Sequence, residues 1–350
     1  MKKTVLLKDN SYDIQIENSF EALSLPHQNI LIISDSNVAP LYANELKQQL
    51  EKKKAKVSIS VFPAGESHKN LKTIEQLYQD CCNAKLDRKS CIVALGGGVT
   101  GDMAGFAAAT FLRGIDYIQV PTSLLAQADS SVGGKTGVDF SGGKNLIGAF
   151  WQPKLVYMNL ATLHSLPEKE FHAGMAEIIK HGLIRNKGLY QFLSEQKDGI
   201  KARDYLTVSK MMAENCMVKA EVVTIDEKEA GMRAILNFGH TIGHAVESAM
   251  NFQLLHGECV AIGMAASMEI SCLRGMLTPQ QRNEAMGLLE YFSLPTTCHC
   301  GKDAILEEMK KDKKRENGIQ KFILLDGIGS CQIVTDITQT ELNQALEYIQ

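Results

Sequence analysis

Two histidines lie four residues apart in the stretch LNFGHTIGHAVE, Leu236 to Glu247. On a helix this spacing stacks His240 and His244 on one face. Such a pair is either metal-ligating or an ordinary polar pair beside an apolar face, and spacing alone does not choose. Further donors occur in the same half of the chain. AGMAEIIKHG sets Glu177 and Lys180 three apart on one helix face, as a salt bridge or a functional pair, and LLHGECVAIGM places His256 just before an apolar helix. A catalytic zinc takes three protein ligands and keeps one position open. Glu177 with two histidines is one such set and three histidines are another; both stay open at this point. Cys298 and Cys300 flank His299, but no second ligand pair has matching spacing, so this trio is not read as a metal cluster.

A second kind of chemistry is anion binding. CIVALGGGVTGD reads as a strand, a glycine turn and a helix start. Gly96, Gly97 and Gly98 let backbone approach a phosphate, and the amides of the following helix favour an anion. The spacing is not GxGxxG, so the usual dinucleotide fingerprint is absent, and a plain tight turn would look the same. FPAGESHKN is another polar loop after a strand, in which Glu66 can bond ribose hydroxyls or simply face solvent. Asp129 and Asn145 bracket five glycines together with Lys135 and Lys144. Lysines in such a segment suit a phosphate or carboxylate ligand, and the apolar flanks argue for a packed segment over a solvated loop.

These residues need elements to position them. The first half alternates: NILIISDSN, KVSISVFPAG, SCIVALGGG and DYIQVPTS read as strands, separated by helical NELKQQLEKKKA and HKNLKTIEQLYQDCCNAK. That order predicts a parallel, doubly wound sheet. From about residue 165 helical periodicity dominates, with no convincing strand before IQKFILLD. The expected architecture is an α/β, Rossmann-like domain over 1–164 and an all-helical domain over 165–350, with ligands in a cleft between them. The 350 residues, 45% hydrophobic and 22% charged, suit two globular cores. A net charge of -3 gives no support to nucleic acid or an anionic membrane as partner. The apolar run in MKKTVLLKDN is too short for a signal sequence, and no segment reaches the length of a membrane span. The nine scattered cysteines then read as reduced thiols of a cytoplasmic protein.

Taken together, the motifs LGGGVTGDMAGFAAATFLRGID, QVPTSLLAQADSSVGGKTGV, GKNLIGAF, AGMAEIIKHGLI, LNFGHTIGHAVE and HGECVAIGM resemble the 3-dehydroquinate synthase family, in its order and over nearly the whole chain. The resemblance implies a Rossmann-like nucleotide domain, a helical domain and a homodimer. It implies conversion of 3-deoxy-D-arabino-heptulosonate 7-phosphate to 3-dehydroquinate and phosphate in the shikimate route, with NAD and a divalent metal, zinc or cobalt. Residue by residue, Glu177, His240 and His256 match the metal ligands, and His244 matches a substrate-side imidazole. Asp35, Asn37, Glu66, Lys69, Gly97, Gly98, Asp102, Thr122, Ser123, Lys135, Lys144, Thr162 and Ser165 fall at cofactor positions. Asp129, Lys135, Lys180 and Glu229 fall at catalytic positions. Lys219 and Arg233 would clamp the substrate carboxylate, while Lys135, Asn145, Asn237 and a lysine of the KKDKKRENG loop, Lys314, would hold its phosphate. Arg113 would be donated across the dimer.

The departures are small: Ser123 and Ser165 stand where threonine is commoner, and Asn159 where aspartate is usual. The implied chemistry is oxidation at carbon 5 by NAD, phosphate elimination with the substrate's own phosphate as base, reduction, and an internal aldol closure. The neighbouring expectations are another sugar phosphate cyclase, such as a 2-deoxy-scyllo-inosose or valiolone synthase, and a metal-dependent polyol dehydrogenase. A non-enzymatic metal- or nucleotide-binding protein would not need so many convergent cations.

Overall fold

The computed structural model describes residues 1–229, 231–315 and 320–350, with the backbone alone for 312–315. The chain forms β1 (Lys2–Val5), β2 (Tyr12–Glu17), β3 (Asn29–Asp35), α1 (Ala39–Glu51), β4 (Lys56–Phe62), α2 (Leu71–Asn83), β5 (Cys91–Gly96), α3 (Gly98–Thr110) and β6 (Asp116–Pro121). Then come β7 (Lys135–Phe140), β8 (Gly143–Phe150) and β9 (Leu155–Asn159). The helices α4 (Glu168–Ile184), α5 (Lys187–Glu195), α6 (Lys197–Lys201), α7 (Tyr205–Ile225), α8 (His240–Ala249), α9 (His256–Leu273), α10 (Pro279–Tyr291) and α11 (Lys302–Arg315) follow. The hairpin β10 (Phe322–Gly327) and β11 (Ser330–Val334) and the helix α12 (Gln339–Tyr348) end the described chain. Among the described residues no helix is long and apolar enough to cross a membrane.

Two compact units result: Met1–Leu166 with Tyr205–Lys228, and Pro167–Asp204 with Glu229–Gln350. The first contains a seven-stranded sheet in the order β1-β2-β9-β6-β5-β3-β4. Only β1 pairs antiparallel; the remaining ladders are parallel. A central parallel strand is covered on both faces, so it reads as an unbroken apolar run. CIVALG of β5 is buried throughout. Its side chains alternate between two cores: Ile92 and Ala94 pack with Ile74, Leu77 and Met103 of α2 and α3, whereas Val93 and Leu95 pack with Leu46 and Leu50 of α1. The glycine-rich segment after β6 forms an antiparallel hairpin, β7–β8, in which Gly137 pairs with Gly148. A Cβ on Gly148 would sit 2.1 Å from the Thr136 carbonyl oxygen, so close strand approach accounts for that glycine.

One element departs from the expected division at residue 164. Helix α7 belongs to the first unit, where it lies against β1. Its apolar residues run all round, with Met211, Met212, Cys216, Val218, Val222 and Val223 buried. Periodicity therefore announces a buried helix without saying which core buries it.

The second unit is built on α4 and α9. Both are buried along most of their length, α9 from Gly257 through Met268 apart from Glu258. The hairpin β10–β11 is the unit's strand component among the described residues, so it is predominantly helical but not all-helical.

Candidate active site

The opening pair of histidines is placed by the junction before α8. Gly239 takes a left-handed conformation (φ 79°), natural for glycine, and turns the chain into α8 so that His240 is its first residue. The His240 ring is fixed by its neighbour: Nδ1 lies 3.1 Å from the Phe238 carbonyl oxygen, which leaves Nε2 facing inward, 3.6 Å from Glu177 Oε1. His256, at the start of α9, puts its Nε2 3.5 Å from the same oxygen. The donor atoms of Glu177, His240 and His256 all lie within 4.8 Å of one another.

The approach of the helices makes this possible. A Cβ on Gly263 of α9 would stand 1.9 Å from the Gly239 carbonyl oxygen, and one on Gly243 would stand 2.7 Å from that of Cys259. A Cβ on Gly257 would stand 1.9 Å from the Ala173 oxygen of α4. Backbone thus meets backbone on both sides of α9.

Glu177 is 1% exposed, and its Oε1 has no close hydrogen-bond donor. Leaving such an atom unsatisfied costs about 1–3 kcal/mol. Lys180, equally buried and three residues along α4, forms an ion pair with Oε2. Burial alone would raise the Glu177 pKa, but Lys180 and the two imidazoles outweigh it and hold the carboxyl well below its usual range. Burial, reinforced by Lys180, keeps His240 well below the ordinary imidazole value. For His256 burial acts downward too, yet Glu177 and Glu247 overcome it and raise the group to about 9. A buried carboxylate and two imidazoles form a donor set that fits a divalent cation such as zinc, whose binding would displace the proton from His256.

His244 is exposed on α8, its ring centroid 5.3 Å from that of His240 and 5.9 Å from that of His256. The spacing in HxxxH therefore aims one ring at Glu177 and leaves the other accessible. Arg233 is buried and Asn237 exposed, both on the turn before α8. Glu229 is half-buried with a left-handed backbone (φ 61°). The Lys314 side chain lies outside the described residues. Glu247 was not singled out from the sequence. It is buried, and its Oε2 lies 3.9 Å from His256 Nδ1. The available signal was its place three residues after His244 and seven after His240 on one helical face.

In the first unit the nominated residues gather around three features. Lys69, 4% exposed, donates from Nζ to Asp102 Oδ2 at 2.7 Å and to Asn145 Oδ1 at 2.6 Å, with Glu66 Oε1 at 3.8 Å. Burial pulls the Lys69 pKa down, but Asp102 more than offsets this and raises it. Burial raises that of Asp102, and Lys69 cancels this only in part. Asn145 sits on the hairpin with a left-handed backbone (φ 54°). Second, Lys219 of α7 donates to Asp129 Oδ1 at 2.7 Å and also to its carbonyl oxygen. Third, Thr162 donates to the Asn159 carbonyl oxygen at 2.8 Å, with the Thr122 carbonyl oxygen 3.3 Å away, and Ser165 shares a hydrogen bond with Tyr42. The Asn159 side chain caps the turn at Ala161.

Asp35 ends β3 with Oδ1 accepting from the amides of Asn37 and Val38 and Oδ2 accepting from Thr100 of α3. Gly97 and Gly98 form the start of α3, with Ser123 nearby. Asn37, Lys135 and Lys144 are exposed, and Arg113 lies in an exposed left-handed turn with Leu112 (φ 68° and 51°).

Comparison with known proteins bears on what this arrangement serves. Models of the 3-dehydroquinate synthase N-terminal and C-terminal regions match residues 59–173 and 174–315. The 3-dehydroquinate synthase of Acetivibrio thermocellus is 45% identical over 331 residues, covering 93% of this chain and 92% of the relative. The chain belongs to the 3-dehydroquinate synthase family. Solved structures agree with that membership. A 2-epi-5-epi-valiolone synthase from Streptomyces hygroscopicus subsp. jinggangensis 5008, with NAD+ and Zn2+ bound, matches with a TM-score of 0.91 and 27% identity over 99% of both chains. A 2-deoxy-scyllo-inosose synthase complexed with carbaglucose-6-phosphate, NAD+ and Co2+ matches at 0.89 and 28%, again over 99% of both. This member of the 3-dehydroquinate synthase family thus shares its fold with sister cyclases but is much nearer in sequence to the synthase.

Proposed function

We propose that this chain converts 3-deoxy-D-arabino-heptulosonate 7-phosphate to 3-dehydroquinate and inorganic phosphate. The observation that carries the reading is the convergence of the Glu177, His240 and His256 donor atoms within 4.8 Å of one another, in a chain of this family. When bound, NAD takes up a hydride and later returns it, while a divalent ion, zinc or cobalt, supplies Lewis acidity toward substrate hydroxyls.

The chain's own residues do the rest. Glu177, His240 and His256 would hold the ion. His244, as an accessible imidazole, would move a proton at Nδ1 or Nε2. Lys180 balances the Glu177 charge and offers N–H donors beside it. In the first unit Asp129 orients the Lys219 ammonium, and both would act on substrate oxygens. Lys219 and Arg233 are assigned the substrate carboxylate, and Lys135, Asn145, Asn237 and Lys314 its phosphate, as fixed cations and amides that orient both anionic ends. Glu229 is assigned to the reacting centre.

For NAD, the Gly97–Gly98 backbone at the start of α3 would meet the pyrophosphate, with Asp102 beside it. Asp35, Asn37, Glu66 and Lys69 are assigned the adenosine half. Thr122, Ser123, Lys135, Lys144, Thr162 and Ser165 are assigned the remainder of the cofactor. The protein is proposed to act in the cytoplasm as a homodimer, with Arg113 reaching the partner's site.

The test is phosphate release from 3-deoxy-D-arabino-heptulosonate 7-phosphate by the purified protein with NAD and zinc, with NADH absorbance followed in parallel. Release that stops on chelation, without NADH accumulating, is the expected result. Accumulating NADH would point to a dehydrogenase. Folded, metal-loaded protein inactive on this substrate but active on glucose 6-phosphate would make it a sister cyclase.

A further inference from the structure

We infer that Glu247 is a positioning residue for the metal site, holding the His256 ring with Nδ1 toward its own carboxylate and Nε2 toward Glu177. The inference rests on reading Glu177, His240 and His256 as metal ligands. The two imidazoles of that set face Glu177 Oε1 through the same atom, Nε2, at 3.6 Å and 3.5 Å. Each must therefore carry its proton on Nδ1 when Nε2 offers a lone pair. His240 has its Nδ1 acceptor built into the local chain, the Phe238 carbonyl. His256 begins α9, and its N-cap Leu255 places no side-chain acceptor at the ring. The group facing its Nδ1 is the Glu247 carboxylate, at 3.9 Å.

Glu247 is suited to this by placement. It is 7% exposed, and it lies on α8, the helix that also carries His240. Its backbone is anchored beyond the helix end, where the Phe252 amide donates to the Glu247 carbonyl oxygen. One helix therefore supplies a ligand directly and steers the second ligand from α9. The two acceptors also differ in charge. A backbone carbonyl is neutral, whereas a carboxylate is anionic and makes the imidazole opposite it a stronger donor to a cation.

The experiment uses the full-length protein stripped of metal and titrated with zinc against a chromophoric chelator. The cobalt(II) absorption spectrum of each variant is recorded alongside. Glu247→Ala removes the acceptor and should weaken zinc binding about 10–100-fold and shift the cobalt bands, as loss of such a supporting partner does elsewhere. Glu247→Gln keeps an acceptor oxygen and should recover most of that loss, leaving a deficit of about 2–5-fold from the missing charge. Thermal unfolding in excess chelator should be similar for Glu247→Gln and wild type, which separates steering of the ring from support of the fold. Zinc affinity within twofold of wild type in Glu247→Ala, with unchanged cobalt bands, overturns the inference. Loss as complete as in Glu177→Ala for both Glu247 variants would make Glu247 a ligand and also overturn it. A wild-type protein that binds no zinc would instead overturn the metal reading itself.

Discussion

Gly257→Ala tests whether backbone contact sets the geometry of the donor set. The new Cβ would lie 1.9 Å from the Ala173 oxygen, 2.6 Å from its carbonyl carbon and 2.9 Å from its Cα. Every one of these atoms is backbone, so no side chain can swing aside. A carbon and an oxygen approach to about 3.3 Å, so α4 and α9 must part by about 1.4 Å. The contact lies beside His256 and one turn before Glu177. Metal constellations tolerate displacements of about 0.5 Å, so zinc affinity should fall at least 10–100-fold. Overpacking of this kind costs about 1–3 kcal/mol. For a unit of this size, that lowers the melting temperature by roughly 2–12 °C. Gly287→Ala is the internal control: it lies in α10, nothing lies within 4 Å of its Cβ, and its φ is compatible with alanine. That change should stabilise by about 0.5–1 kcal/mol. The assays are differential scanning calorimetry and zinc competition on both variants. A Gly257→Ala protein with wild-type melting and wild-type zinc affinity would refute the reasoning.

Three further outcomes are expected. Lys69→Met leaves Asp102 with its charge uncompensated; buried pairs broken in this way lose about 3–5 kcal/mol, and since Asp102 keeps 20% of its side-chain surface in water about 2–4 is expected in urea unfolding. Adding Asp102→Asn should recover part of that loss. Glu341, bonded to Arg274 and to Thr338, is held at about 2 in the folded chain against an ordinary 4.5, so its stabilisation is present above pH 4.5 and is lost as pH falls toward 2. Because the pair is partly exposed, Glu341→Gln should cost only about 0.5–1 kcal/mol at pH 7, with the deficit closing near pH 2 in pH-resolved melts. Glu177→Gln leaves Lys180 buried without its carboxylate and should abolish zinc binding in equilibrium dialysis, and phosphate release with it.

The sequence carried the alternating strands and helices of the first unit because a doubly covered strand must be apolar throughout, as CIVALG is. It carried the histidine spacing for the same local reason. What it did not carry depends on separation along the chain. Lys69 meets Asn145 across 76 positions, and no local pattern marks a lysine for burial against a hairpin. The β7–β8 hairpin was hidden because its glycines interrupt the alternation that signals a strand. Helix α7 shows a buried surface without naming the unit that buries it. Glu247 had a legible helical register, but its meaning depends on His256, which arrives on a different helix.

The four glycines at 239, 243, 257 and 263 have a consequence for how this protein tolerates change. The chemistry of the donor set resides in three side chains, but the spacing between them is set where there are no side chains. A saturation mutational scan should therefore find two unlike kinds of intolerance in the second unit. At Glu177, His240 and His256, rejection would track the ligand atom offered. At Gly257 and Gly263, alanine should be refused nearly as firmly as aspartate, because volume alone is excluded there. No second-site repacking can relieve such a clash, since the opposing atoms are backbone. Drift in sequence is thus free to reshape the surface and the outer helices while these helix crossings stay locked.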